Sequence, residues 1–311
     1  MLAIVVGTLL PSRSQPLRSF SFCLTCDFRW LADGVANVGL FLPFGLAAGW
    51  RARSSWRVVL AGALLSTTIE LLQMAIPGRD PSLRDVVANT LGTALGALLA
   101  YRPRAWLTPT ARHASWLANG TALVIFAVIA STAVLLEPAQ PGEQIKVSRA
   151  EHDAVVRYQS QGDVIALDQP AYYVQDMFSD GGSAGASGVT LTHRWSGWCL
   201  RVEQTERCAI GPTMGRGWAA LMYPAALPHR WADVLIDMAW TAALFFPLGF
   251  WTTRRTGALS LVIAIVLLGG VPIIVGLVPT SLAEWMSACA SIGLGYAAAE
   301  AVRRHLAPSN A

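Results

Sequence analysis

Charge is scarce in this sequence. Only 14% of its 311 residues are charged against 54% hydrophobic, and the mean hydropathy is +0.46, a balance that excludes an ordinary soluble domain. Its basic residues form no run or continuous face, so the formal charge of +4 and pI near 9.0 do not signal a nucleic-acid partner. No Ser-x-x-Lys, His-Glu-x-x-His or phosphate-loop pattern occurs, and no hydrolase or nucleotide-binding class is indicated. The histidines stand at positions 113, 152, 193, 229 and 305, away from the polar residues discussed below. No metal-ligating set emerges, and the sequence names no cofactor.

Long apolar stretches are what the chain has instead. A spanning helix needs about 20 largely apolar residues, and seven segments approach that length: 31–50, 56–76, 83–101, 115–136, 232–252, 257–277 and 282–302. Residues 1–10 are apolar but short and stop at Pro11; they predict a half-span or a chain whose true start lies upstream. The expected class is mainly α, a polytopic bundle of seven to eight transmembrane helices embedded in a lipid bilayer. Arginines set the orientation, because short cytoplasmic loops collect them. Arg51, Arg53 and Arg57, then Arg102, Arg104 and Arg112, then Arg254 and Arg255, then Arg303 and Arg304 all fall on one side. That side is read as the cytoplasm and holds the C-terminus. Arg13, Arg18 and Arg29 in the opposite loop run against the rule.

This topology puts residues 137–230 outside the membrane as one hydrophilic insert. Alternating runs at 154–158, 164–167, 189–192 and 198–202, separated by turn-rich sequence such as 180–188, predict a small β-rich domain. The expected division is 1–104, a first membrane domain; 105–136, a linking transmembrane helix; 137–230, the insert; and 231–311, a second membrane block. Cysteines facing an oxidising compartment tend to pair, which predicts a disulfide between Cys199 and Cys208 across a hairpin. Cys23-x-x-Cys26 is open between a disulfide and a redox pair, and lacks a second ligand pair for zinc. Cys289 reads as a small packing residue.

Polar residues inside spanning helices are costly, so each is a functional hypothesis until packing accounts for it. Asp33 and Asn37 are four apart, Glu70 and Gln73 three apart, Asp85 and Asn89 four apart, spacings that place each pair on one helical face. The topology puts all three pairs near the outer leaflet, with Arg79, Asp80 and Arg84 at the same level. Asp33 and Asp85 can equally serve as acids at helix N-termini, and Gln73 and Asn89 as interhelical hydrogen-bond glue. Glu70, mid-helix, most needs a partner, and Arg79 and Arg84 are the candidates. The ligand-binding set read from the sequence is therefore Asp33, Asn37, Glu70, Gln73, Arg79, Arg84, Asp85 and Asn89. Gly92-x-x-x-Gly96 reads as a close helix contact. Pro43, followed by Gly45, is expected to bend its helix and shape a cavity.

These blocks carry a resemblance. Asp33-Gly-Val-Ala-Asn37 running into Leu40-Phe41-Leu42-Pro43-Phe44-Gly45, then Ile69-Glu70-Leu71-Leu72-Gln73, then Arg79 and Asp85-Val-Val-Ala-Asn89-Thr90-Leu91-Gly92 resemble the VanZ-like family over about residues 1–101. The resemblance implies a bacterial inner-membrane domain associated with resistance to glycopeptide antibiotics. Residues 231–311 look like a worn second copy: Asp237 stands ten before Pro247 and Gly249 follows it, as Asp33 stands before Pro43 and Gly45. Glu284 with Gly295 echoes Asp85 with Gly96. Thr241 replaces Asn37, Ala288 replaces Asn89, Ser291 replaces Gly92, and 261–277 has nothing like Glu70 and Gln73.

Three functions compete. The first binds or handles a lipid-linked glycan precursor, or a glycopeptide, at the outer leaflet. The second is a membrane-embedded enzyme on a lipid-linked cell-wall or polysaccharide precursor, with Glu70 or Asp85 as base or metal ligand. The third places specificity in the insert, where Tyr172, Tyr173, Trp195, Trp198 and Trp218 could stack on sugars, although such aromatics more often fill cores or interfacial belts.

Overall fold

The computed structural model describes residues 19–25, 30–52, 54–77, 79–136, 145–150, 153–160, 163–165, 173–174, 189–194, 197–202, 204–222, 230–252 and 257–306. The segment 1–10, Cys26, the loop 180–188, Tyr172 and Trp195 lie outside the described residues. The chain divides into two compact units, Met1–Leu107 and Thr108–Ala311.

The first unit is built from α1 (Trp30–Arg51), α2 (Ser55–Gln73) and α3 (Leu83–Tyr101), followed by the short α4 (Pro103–Leu107). Its core is polar and small while its outer surface is apolar, the reverse of a soluble bundle. Ser66, Glu70, Asn89, Thr93, Gly92 and Gly96 are buried, whereas Leu60, Leu64, Leu71, Leu91 and Leu98 are exposed. Lipid supplies the apolar solvent such flanks need. Trp30, Trp50, Trp56 and Tyr101, all exposed, sit at helix ends, where an aromatic belt meets the headgroups.

Glycines set how closely α1 and α3 approach. A Cβ at Gly45 would fall on the backbone carbonyl of Thr93, one at Gly92 on that of Val38, and one at Gly96 on that of Leu42. Gly92 and Gly96 thus act in packing, as their spacing predicts. Pro43 lies within α1, which continues through it. At the other end of α3, Trp106 of α4 donates its indole N–H to the Leu99 carbonyl at 2.8 Å, occupying an acceptor that a helix C-terminus leaves open.

The second unit begins with α5 (Ala111–Leu135) and continues into the insert. β1 (Ile145–Ala150), β2 (Asp153–Ser160), β3 (Asp163–Ile165) and β4 (Tyr173–Val174) form one antiparallel sheet in which β2 pairs with the other three. β5 (Val189–Arg194), β6 (Gly197–Val202) and β7 (Thr205–Ile210) form a second antiparallel sheet. Cys199 and Cys208 are joined by a disulfide between β6 and β7, beside the point where the ladder slips between Trp198 and Leu200. The sequence expectation of strands holds, and it missed β1, β4 and β7.

From β7 the chain passes through the buried Gly211, Pro212 and Thr213 into α6 (Met214–Met222), then α7 (Arg230–Trp251). The expected single span 257–277 is instead broken: α8 (Gly257–Ile265), a widened π-type turn (Val266–Gly270) and α9 (Val271–Ile274). Pro272 explains the break, because its ring excludes a hydrogen bond to the carbonyl four residues back. That carbonyl, on Leu268, accepts the Thr280 hydroxyl instead. The last helix is α10 (Leu282–Leu306). A Cβ at Gly249 of α7 would fall on the Ile292 carbonyl, and one at Gly295 of α10 on the Phe246 carbonyl.

Among the described residues, four helices are long and apolar enough to cross a membrane by length and composition: Trp30–Arg51, Ser55–Gln73, Ala111–Leu135 and Val234–Trp251. α3 and α10 are as long but carry the polar residues of their units. The architecture is a transmembrane helix bundle with a small β-rich domain.

Candidate functional site

In the first unit, two helix N-termini bring their acids together. Asp33 lies in the first turn of α1 and Asp85 in the first turn of α3, positions where free backbone N–H groups favour negative charge. Ser82 caps α3, its hydroxyl accepting from the Asp85 N–H at 3.1 Å. Arg84 then reaches between the acids. Its Nη2 lies 3.2 Å from Asp33 Oδ2 and its Nε 3.7 Å from Asp85 Oδ1. Asn37, one turn below Asp33, donates from Nδ2 to Asp85 Oδ1 at 2.8 Å. Four of the eight sequence-predicted residues therefore form one network, and it is partly open: the Arg84 and Asp33 side chains keep 15% and 27% of their surface exposed.

Glu70 takes a different place. It is buried, and its Oε2 accepts the backbone N–H of Ser82 at 2.9 Å. A carboxylate here holds the loop between α2 and α3 in the position that aims Arg84 and Asp85 at α1. Asp85, Arg79 and Arg84 all lie within electrostatic range of it. Arg79 sits in that loop, half-buried, and Gln73 is buried at the end of α2.

Asn89 stands apart from the network. Its Nδ2 donates to Ser66 Oγ at 2.9 Å, tying α3 to α2, and its Oδ1 is buried with no hydrogen-bond partner. Below it the Thr93 hydroxyl donates to the Asn89 carbonyl at 3.0 Å, and a Cβ at Gly62 would collide with the Thr93 side chain.

The segment that precedes α1 is stitched over this end. Ser21 donates from its N–H to the Pro81 carbonyl at 2.9 Å and accepts from the Leu83 N–H at 2.8 Å, so a short extended segment runs beside the Ser82 loop. Cys23, two residues on, is disulfide-bonded. Sequence reasoning missed Ser21, Ser66 and Ser82. Only Ser82 carried a signal, as a serine just before a helix with an acid three residues later.

The second unit contains its own buried acids. Asp237 of α7 and Glu284 of α10 are 2% and 0% exposed. Glu284 completes a capping box: Ser281 donates from its N–H to Glu284 Oε2 at 2.7 Å, and the Glu284 N–H donates to Ser281 Oγ at 3.3 Å. Its other oxygen, Oε1, accepts from the Gly215 N–H at 2.8 Å and so holds the start of α6. Trp218 of α6 is a core residue, its ring tilted against that of Trp240 at 5.4 Å and its indole N–H donating to the Val128 carbonyl at 3.2 Å. A sugar-stacking role is not open to it.

A helix bundle with lipid-facing flanks, small-residue crossings and an ionic network at one end defines a polytopic integral membrane protein. Residues 2–108 match the family model described as VanZ/LLP1. Over those residues, about a third of the chain, the first unit is similar to the VanZ-like family. No curated protein and no solved structure matches it.

Proposed function

We propose that the first unit binds the polar head of a lipid-linked glycan precursor, or of a glycopeptide that engages such a precursor, at the outer leaflet of a bacterial inner membrane. The observation that carries this reading is the partly exposed network of Asp33, Arg84, Asp85 and Asn37 at the end of an apolar bundle. Its guanidinium suits phosphate or carboxylate, its acids and amide suit hydroxyl and amide donors, and the exposed leucines alongside suit a lipid tail. Burial of Glu70 against Ser82 favours a positioning role for that acid over a chemical one.

The test uses membranes carrying the full chain and a labelled lipid-linked precursor. Wild type should retain the label, Arg84→Gln and Asn37→Ala should retain it at least tenfold less tightly, and Glu70→Gln should keep most binding while Glu70→Ala loses it. Product release that Glu70→Gln abolishes without loss of binding would favour the enzyme reading instead. If correctly inserted wild type retains no precursor and no glycopeptide above empty membranes, the proposal is wrong.

A further inference from the structure

The two units make the same helix crossing. Gly45 of α1 abuts the Thr93 carbonyl of α3, and Gly249 of α7 abuts the Ile292 carbonyl of α10. Gly96 of α3 abuts the Leu42 carbonyl, and Gly295 of α10 abuts the Phe246 carbonyl. The caps correspond as well: the Asp85 N–H donates to the Ser82 hydroxyl as the Glu284 N–H donates to that of Ser281. In this correspondence Asp237 stands where Asp33 does, Glu284 where Asp85 does, and Thr241 where Asn37 does.

The chemistry at the shared position differs. In the first unit Arg84 bridges the two acids, and the Asn37 amide spans the gap to Asp85. Position 283 of the second unit, equivalent to Arg84, is an alanine, and Thr241, shorter than Asn37, carries no amide. Arg216 of α6 is the cation whose charge reaches Asp237, and it forms no ion pair with either acid. Two buried oxygens remain without partners, Asp237 Oδ1 and Thr241 Oγ1. Both residues are almost completely buried, 2% and 0% exposed, one turn apart on the same face of α7. That face is held against α10, whose Ser287 hydroxyl donates to the Met238 carbonyl at 2.5 Å.

We propose that the second unit repeats the crossing of the first and holds, between Asp237, Thr241 and Glu284, a site for one small monovalent cation of the alkali-metal class. Hard oxygen donors suit such an ion. Single charge follows from the hydrogen bonding: both oxygens of Glu284 are engaged by backbone N–H groups of Gly215 and Ser281, which leaves Asp237 as the acid with an uncommitted oxygen. Small size follows from enclosure, because a Cβ at Gly215 would collide with Asp237 Oδ1, so α6 closes the space. Asp237 and Glu284 are close enough to hydrogen-bond to each other; negative charge left on such a buried pair is unfavourable in hydrocarbon, and a bound cation offsets it. This site is separate from the precursor reading of the first unit.

The experiment is unfolding of the purified full chain in detergent micelles, at fixed pH and ionic strength, with NaCl, LiCl or KCl replacing choline chloride. At least one alkali cation should raise the midpoint saturably by several degrees. The rise should vanish in Thr241→Val and Asp237→Asn and persist in Glu300→Gln, which alters a half-buried acid near the far end of α10. If Asp237→Asn does not fold, wild type and Thr241→Val decide. Equal midpoints in alkali and choline salts, or a rise that survives Thr241→Val, would overturn the proposal.

Discussion

Asn37 and Asp85, 48 positions apart, meet through a 2.8 Å hydrogen bond from Nδ2 to Oδ1. This contact joins the second turn of α1 to the first turn of α3, above the glycines on which the two backbones touch. Removing it should cost more than an exposed hydrogen bond does, since a carboxylate oxygen loses its donor in a part-buried place. We expect Asn37→Ala to lower stability by about 1–3 kcal/mol. Unfolding in mixed micelles measures this, and a change below the scatter of the assay would show that water replaces the amide.

The glycine crossings predict a graded series. Gly45→Ala and Gly96→Ala drive a methyl group into backbone of the facing helix, and backbone cannot rotate away as a side chain can. Each should destabilise by about 3 kcal/mol or more, at or beyond the usual range for overpacking. Gly39, with nothing within 4 Å of its Cβ position, should accept alanine with a change of about 1 kcal/mol or less. Gly249→Ala and Gly295→Ala should behave like the first pair. The same unfolding assay reads all five, and indifference at Gly45 would contradict the close approach.

Glu70 distinguishes a hydrogen-bond acceptor from a charge. Glu70→Gln keeps a carbonyl oxygen for the Ser82 N–H, whereas Glu70→Ala leaves that N–H buried and unpaired. The alanine variant should lose about 1–3 kcal/mol relative to the glutamine variant. Equal stability of the two would mean the bond to Ser82 contributes little.

In the insert, the Cys199–Cys208 bridge closes a short loop between neighbouring strands. By the chain-entropy estimate its loss costs about 2–4 kcal/mol in the stability of that sheet. Cys199→Ser with Cys208→Ser should hasten proteolysis within residues 189–210, while cleavage elsewhere is unchanged. Mass spectrometry of the fragments checks this.

Much of the helix architecture was legible because apolar length alone marks a spanning segment. The exception, residues 257–277, failed for a local reason: hydropathy does not register that Pro272 removes an acceptor's partner, nor that Thr280 supplies another. The polar network was legible in its members, since i, i+4 spacing put Asp33 with Asn37 and Asp85 with Asn89. Their roles were legible only in part: the bond from Asn89 to Ser66 is the interhelical glue that was one of its two readings, but the partners themselves were not. Asn89 turns to Ser66 and Glu70 to a backbone N–H because serine and main-chain donors are invisible to a search for opposite charges. The second acid pair was read as a worn remnant because Thr241 and Ala288 lack amides. What the substitution leaves behind, two buried oxygens without donors, exists only in three dimensions.

The junction between the β5–β7 sheet and the membrane helices has a mechanical consequence. Gly211–Thr213 are buried, the Pro212 carbonyl accepts from the Val278 N–H at 3.2 Å, and the Gly215 N–H is gripped by Glu284. A tug on the sheet reaches α10 through four residues with almost no slack, and the covalently braced hairpin upstream does not stretch to absorb it. The β5–β7 sheet and α10 are thereby coupled like a lever and its pivot.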